Sequence, residues 1–323
     1  MNIENEAIIV TGGTGFVGRH CTEALLSRGV APANILSVCN NSEPANLPIE
    51  QMRLDITDEA NVSKIIAQVQ PKAVIHLAAV ANPSFAEANS RRAWMVNLDG
   101  TRNLASAIMQ ASPRTKLIFA SSSEAYGESF NNERLPISEL SALRPKTVYG
   151  ATKAAADIML NQMAEDGLDV MVFRAFNHTG PGQDTSYVIP SFAKQIEDLK
   201  VGTAPPVISV GNLDAERDFL DVRDVVSAYV SAALTSTKFE TSTLNLCSGV
   251  PRSIKSILMS LIRLAEVDVE VNVDPDRMRP SEVPRAYGDN HALKTHLNWH
   301  PTIEMDETLQ DVLNFFGSEL SAH

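Results

Sequence analysis

The sequence predicts an α/β protein built on a doubly wound parallel sheet, with a smaller, mainly C-terminal domain that holds the substrate. Three observations predict it. As far as Phe176, apolar runs alternate with helix-like stretches. The runs lack polar alternation, as strands buried on both faces do. A glycine-rich turn stands between the first run and the first helix, as in a Rossmann-type unit.

In chain order, the strands are expected at AIIVTGG, NILSVCN, AVIHLAA, KLIFASSS and DVMVFRAF. Between them, GRHCTEALLSRG, ANVSKIIAQVQP, AWMVNLDGTRNLASAIMQA and VYGATKAAADIMLNQMAEDG read as helices. Beyond Arg174 the pattern loosens into FNHTGPGQDTSYVIP, a loop rich in Gly and Pro. A helix at SFAKQIEDLKVG and a short strand at VISVGN follow it. RDFLDVRDVVSAYVSAAL and STLNLCSG return to the first domain, and SIKSILMSLIRLAEV onward completes the second. The expected partition is therefore 1–177 and 212–246 for a dinucleotide-binding domain, with 178–211 and 247–323 for the substrate domain. No internal repeat is evident.

Composition bounds the function. A chain of 323 residues, 44% hydrophobic and 20% charged, has the make-up of an ordinary enzyme with a generous core. No apolar run reaches the ~18 residues of a membrane span, and MNIENEAIIV lacks the marks of a secretory signal, so a cytoplasmic protein is expected. A formal charge of -12 argues against a nucleic-acid partner. The three cysteines, Cys21, Cys39 and Cys247, have neither disulfide nor zinc spacing, so no metal is expected.

In VTGGTGFVG, Gly12 permits a tight turn, Gly15 lets backbone approach a pyrophosphate, and Gly18 allows close helix packing. Phe16 and Val17 open the helix whose N-terminus attracts the phosphates. The second strand ends in Cys39, Asn40 and Asn41, where a carboxylate would hold the ribose hydroxyls of NAD. Without that carboxylate a 2′-phosphate is tolerated, Asn40, Asn41 and Ser42 offer donors to it, and Arg19 offers charge. NADP is therefore the expected cofactor, with NAD as the alternative.

VYGATK places Tyr149 and Lys153 four residues apart at the start of a helix, on one face. An ammonium beside a phenol lowers a pKa otherwise near ~10, which suits proton exchange with a carbonyl or alcohol oxygen.

The GxxGxxG spacing resembles that of the short-chain dehydrogenase/reductases, and TGGTGFVG that of their extended, nucleotide-sugar-modifying branch. The resemblance implies that Asp55 in RLDITD, with Ile56 beside it, meets the adenine. It matches Ser122 to the hydroxyl that binds the reacting oxygen, completing a Ser122–Tyr149–Lys153 trio. It also implies a structural role for Asn97. In the 4,6-dehydratases of this branch the position of Glu124 carries the base that removes the carbon-5 proton. Some 4-keto-6-deoxysugar reductases carry an acid there too, and a plain hydrogen-bonding role is equally open.

FRAFNHTGPGQDTSYVIPSFAKQI, VGNLDAERDFLDVRDV, NLCSG and DPDRMRPSEVPRAYGDN look like the GDP-6-deoxy-4-keto-D-mannose reductases, which form GDP-D-rhamnose. GDP-mannose 4,6-dehydratases share FNH, and the sequence departs from their arginine-rich continuation between Thr179 and Gln183. Guanidinium forks grip phosphate oxygens, so Arg217 and Arg279 are expected at the substrate's diphosphate, with the amide of Asn177. By resemblance Lys194 lies near the guanine and Glu282 near the ribose. His178 is either a sugar contact or a packed loop histidine.

The leading expectation is NAD(P)H-dependent reduction of GDP-4-keto-6-deoxy-D-mannose. The alternatives are a GDP-mannose 4,6-dehydratase or bifunctional enzyme using Glu124, and a non-catalytic NADP-sensing protein. A homodimer is expected by analogy, through helices near Arg92 to Ala111 and Val148 to Glu165.

Overall fold

The computed structural model describes residues 6–40, 47–235, 242–277 and 283–321. Six strands of its main sheet come in quick succession: β1 (Ile8–Thr11), β2 (Ile35–Cys39), β3 (Glu50–Arg53), β4 (Ala73–His76), β5 (Lys116–Ser122) and β6 (Val170–Ala175). The chain then makes β7 (Asn177–Thr179), β8 (Val207–Val210) and β9 (Glu216–Asp221) before β10 (Thr243–Leu246) rejoins the sheet. The result is a seven-stranded sheet in the order β10-β6-β5-β4-β1-β2-β3, parallel throughout.

Alternate residues of each strand enter different cores, which is why the runs are apolar without a break. Ile8 and Val10 of β1 pack on one side with helices α1 (Phe16–Ser27) and, later in the chain, Val222–Leu234; Ile9 packs on the other with α2 (Glu59–Val69). That second side also holds the long helical stretch after β4. It comprises α3 (Pro83–Ala88), α4 (Ser90–Trp94), a π-helical turn over Met95–Gly100 and α5 (Thr101–Ala111). A continuous helix is expected there from the sequence. The π turn intervenes where Asn97 turns its side chain onto Val80, accepting from its N–H at 2.7 Å and donating to its carbonyl at 3.2 Å.

After α6 (Ser129–Asn132) comes α7 (Val148–Glu165), started by Thr147, whose hydroxyl accepts from Gly150 N at 3.0 Å. The smaller domain holds α8 (Val188–Lys200), then α9 (Val222–Leu234) returns to the large sheet. The remaining helices are α10 (Ile254–Ala265), α11 (His291–Leu297) and α12 (Met305–Ser321). α8, α10 and α12 close a second core around Phe192, Leu258 and Leu309. Beside it lie a sheet of β7, β9, β11 (Pro251–Ser253) and β13 (Arg285–Ala286), and the pair of β8 with β12 (Glu270–Val273).

Two segments cross the expected domain boundaries. β9, placed by sequence in the dinucleotide-binding part, pairs with the small sheet, where Phe219 joins the second core. Leu293 and Trp299, placed in the substrate part, pack instead into the core of the large sheet. In both cases long-range pairing decides, and no local pattern records it. β3, with the sequence EQMR and half-exposed side chains, escapes the apolar-run signal because it is an edge strand. Among the described residues no helix is long and apolar enough to cross a membrane.

Candidate active site

The cofactor end is set by backbone crowding. Gly12 has φ +69°, and a Cβ there would lie 2.9 Å from Ala78 N; a Cβ on Gly18 would lie 2.3 Å from the carbonyl of Gly12. These close approaches bring the start of α1 directly beneath the turn. Gly15 occupies its N-cap position with no side-chain cap, and no acid stands in the first turn. The leading N–H groups of a 12-residue helix therefore face the cleft without an internal anion, which fits the pyrophosphate of a dinucleotide.

At the end of β2, Asn40 donates its amide to Asp55 Oδ2 at 2.8 Å. Thr57 donates to Asp55 Oδ1 through its N–H at 2.9 Å and its hydroxyl at 2.7 Å. Burial pushes the Asp55 carboxyl up, but these bonds and the charge of Arg92 outweigh it and hold the group below its ordinary value. Asn40 is thus occupied with Asp55, and Arg19 turns its Nε to the carbonyl of Thr14 at 2.9 Å. Asn41 and Ser42 lie outside the described residues.

The reacting end lies where β5 stops. Ser122 accepts from the N–H of Glu124 at 3.2 Å, and its hydroxyl is hydrogen-bonded to the phenol of Tyr149. Burial pushes the Tyr149 phenol above its ordinary value; the Ser122 bond pulls it down, while Tyr187 and Glu124 raise it further. The sequence led us to expect Lys153 to lower this phenol. The structure corrects that: Lys153 donates to the carbonyl of Ala120 at 2.7 Å and sits 4.9 Å from the centre of the Phe119 ring. Its own pKa falls to about 7 through burial.

That value carries a stability prediction. The unfolded chain keeps this proton to about pH 10.4, while the fold releases it from about 7 upward. Between those values the unfolded state binds more protons, so stability rises with pH, by up to about 1.4 kcal/mol per unit. Urea unfolding of wild type and Lys153→Met at a series of pH values between these limits should show the wild-type slope exceeding the variant's.

Glu124 is exposed towards the cleft yet walled by protein on its other sides. Burial raises its pKa, and the charge of Arg217 opposes that rise. Tyr149, Ser122 and Glu124 share one cleft of about 690 Å³ with Gly12, Gly15, Phe16, Val17, Gly18, Asn40, Asp55, Ile56 and Asn177. Lys153 lies buried beneath it. His178 also lines the cleft; its Nδ1 meets the carbonyl of Phe176 at 3.1 Å and its ring stacks on Phe16. Lys194 pairs instead with Asp198 along α8. Arg217 faces Glu124 and donates to the carbonyl of Glu216 at 2.8 Å, so neither cation forms the cleft wall. Arg279 and Glu282 lie outside the described residues.

Two supporting networks went unread in the sequence. In the first, Thr101 donates to the carbonyl of Asn97 at 2.7 Å, so its oxygen accepts from His76 Nε2 at 3.0 Å. The Nδ1 of His76 then accepts from the Thr11 hydroxyl at 2.7 Å, and Asn97 donates to Thr152 on α7 at 2.9 Å. Burial, with the charge of Lys153, pushes His76 down to about 3, so it is a neutral strut between the glycine turn and the catalytic helix. Asn97 thus has the structural part expected of it.

In the second, Asp157 follows Tyr149 and Lys153 at the next four-residue interval of α7. It takes Arg174 Nε at 2.8 Å, Arg174 Nη2 at 3.0 Å and the Ser121 hydroxyl at 3.0 Å. Arg174 continues to Tyr126 at 3.0 Å, and Tyr126 to Asn245 at 2.6 Å. The spacing of Asp157 was a usable signal; its distant partners were not.

Residues 9–312 match the model of the GDP-mannose 4,6 dehydratase family. The chain belongs to that family, within the extended short-chain dehydrogenase/reductases. It is 33% identical to GDP-6-deoxy-D-mannose reductase of Pseudomonas aeruginosa over 98% of each chain. The solved structure of RMD from Pseudomonas aeruginosa complexed with NADPH superposes with a TM-score of 0.84 at 31% identity, covering 97% of this chain and 99% of that one. UDP-glucose 4-epimerase of Thermus thermophilus complexed with NAD gives 0.82 at 28% identity, covering 96% and 98%.

Proposed function

We propose that this family member reduces the 4-keto group of GDP-4-keto-6-deoxy-D-mannose to give GDP-D-rhamnose. It is an NAD(P)-dependent oxidoreductase acting on a nucleotide sugar. The observation that carries the finer reading is the Ser122–Tyr149 pair at the cleft. A reduction needs a proton donor, and a phenol beside a serine hydroxyl in the cleft is one.

When bound, the reduced nicotinamide supplies the hydride. Tyr149 gives its proton to the oxygen of the ketone, and Ser122 holds that oxygen by a second hydrogen bond. Glu124 disfavours early loss of the phenol's proton, since its negative charge raises Tyr149. Lys153, buried under the helix face, ties the start of α7 to β5 through the carbonyl of Ala120. The uncapped start of α1 receives the pyrophosphate and Asp55 and Ile56 border the adenine. NADP is the proposed cofactor, with NAD accepted as an alternative, in keeping with a β2 that ends without an acid and with relatives bound to either. Asn177, which lines the cleft, is the proposed contact to the substrate diphosphate. Arg217, whose charge acts on Glu124, is proposed at the same diphosphate, and Lys194, paired with Asp198 along α8, near the guanine.

Purified protein given GDP-4-keto-6-deoxymannose should oxidise NADPH or NADH in stoichiometric amount. Conversion of GDP-mannose with no added reductant would point to the second reading, a dehydratase or bifunctional enzyme. One observation favours that reading: Glu124 presents to the cleft a carboxyl with a raised pKa, as an elimination base requires. Glu124→Gln separates the two. For the reductase, keto-sugar turnover should stay within about tenfold of wild type, whereas loss of a general base costs about 10²–10⁴-fold.

We further propose a homodimer formed through the exposed apolar side chains of the paired helices. Trp94, Met95 and Ile158 are 37%, 43% and 60% exposed on the α4–α5 stretch and α7. Light scattering should give twice the chain mass, reduced to the single mass in Ile158→Asp.

A further inference from the structure

The turn HTGPGQ, where the sequence parts from the dehydratase pattern, is held rigidly against α1. Its Pro181 carbonyl accepts from His20 Nε2 at 2.9 Å, and His178 stacks on Phe16 with rings 9° from parallel. A Cβ on Gly180 would lie 2.6 Å from Val222 Cγ1, so the turn is packed on α9 as well.

Within this rigid turn two side-chain oxygens are buried without a hydrogen-bond partner: Thr179 Oγ1 and Gln183 Oε1. Both residues stand in the cleft wall, and both are more than nine-tenths buried, at 1% and 7% exposure. The amide of Gln183 is oriented, because its Nε2 donates to the carbonyl of His178 at 3.0 Å and leaves Oε1 as the unpaired end. Native proteins pair nearly all buried polar groups, since an unpaired one has lost its water without a replacement. Two in one turn, on the cleft that also holds Ser122 and Tyr149, mark a contact completed by something that enters the cleft.

We propose that Thr179 and Gln183 form a ligand contact that selects what binds at the reacting end. An amide oxygen only accepts, so the ligand must bring a donor to Gln183: a hydroxyl of the substrate sugar or the carboxamide N–H of the nicotinamide. Thr179 completes the contact through its hydroxyl. This role rests on the reading of the protein as a nucleotide-sugar oxidoreductase, and it makes the two residues specificity determinants beyond the Ser122–Tyr149–Lys153 trio.

Thr179→Val keeps the shape and removes the orphaned hydroxyl; Gln183→Met removes the open acceptor. NADPH binding by fluorescence and GDP-mannose binding by calorimetry, each with the ligand-free Tm, test the proposal. Thr179→Val should leave the ligand-free Tm equal or higher, because an unpaired polar atom is gone, while one ligand binds about tenfold more weakly. Gln183→Met should weaken the same ligand. Loss confined to NADPH identifies the carboxamide as the donor, and loss confined to GDP-mannose identifies the sugar. Unchanged binding of both ligands in both variants overturns the contact, and so does a fall in the ligand-free Tm of Thr179→Val that accompanies its loss of binding, since the hydroxyl would then serve the free fold. Failure of the wild type itself to bind either ligand would instead overturn the functional reading beneath it.

Discussion

Tyr149→Phe is expected to lower keto-sugar reduction by about 10³–10⁴-fold while NADPH affinity changes by less than about threefold. The ring remains, so the packing at the start of α7 and the cleft wall are kept; only the proton and its bond to Ser122 are lost. Ser122 cannot take over, because its hydroxyl lacks the acidity of a phenol, and Lys153 is committed to Ala120 at 2.7 Å. Steady-state turnover with cofactor titration checks this. Turnover within tenfold of wild type would remove Tyr149 from the reaction.

The largest effect on stability is expected at Asp157. Its carboxylate is buried against Arg174 at 2.8 and 3.0 Å, and removing one partner of such a pair leaves an uncompensated charge in the interior. Asp157→Asn should cost about 3–5 kcal/mol in urea unfolding. The double variant Asp157→Leu with Arg174→Met should recover part of that loss, because no buried charge is then left unpaired. If the single variant unfolds like wild type, the pair is not what fastens α7 to the sheet. Activity should fall as well, since Asp157 also binds Ser121, the neighbour of Ser122, and shares a helix face with Tyr149 and Lys153.

The legibility of these features followed the range of the forces behind them. Tyr149 and Lys153 were readable because four residues make about one helical turn, and Gly12, Gly15 and Gly18 because a crowded strand–helix junction admits no side chain. Arg217 was read as a phosphate ligand from its residue type; that the charge of Glu124 acts on it in the fold is something no local pattern records. Lys194 likewise pairs with Asp198 four residues on, an interaction that helix spacing alone would have suggested. The effect of Lys153 on Tyr149 was inferred from proximity along a helix, and the direction in which the ammonium points decided otherwise.

By itself, the sequence determined the parallel α/β class, the main strands and helices, the glycine turn and the helical spacing of Tyr149 and Lys153. Each is local, fixed by apolar runs, turn sterics or helical repeat within a few residues. Tertiary structure alone decided that β9 joins the small sheet, that His76 is a neutral strut, that Asp157 holds Arg174, and that Thr179 and Gln183 keep unpaired oxygens at the cleft. These depend on burial and on partners far along the chain, and the cost of an unpaired buried group is set only once folding has taken its water away.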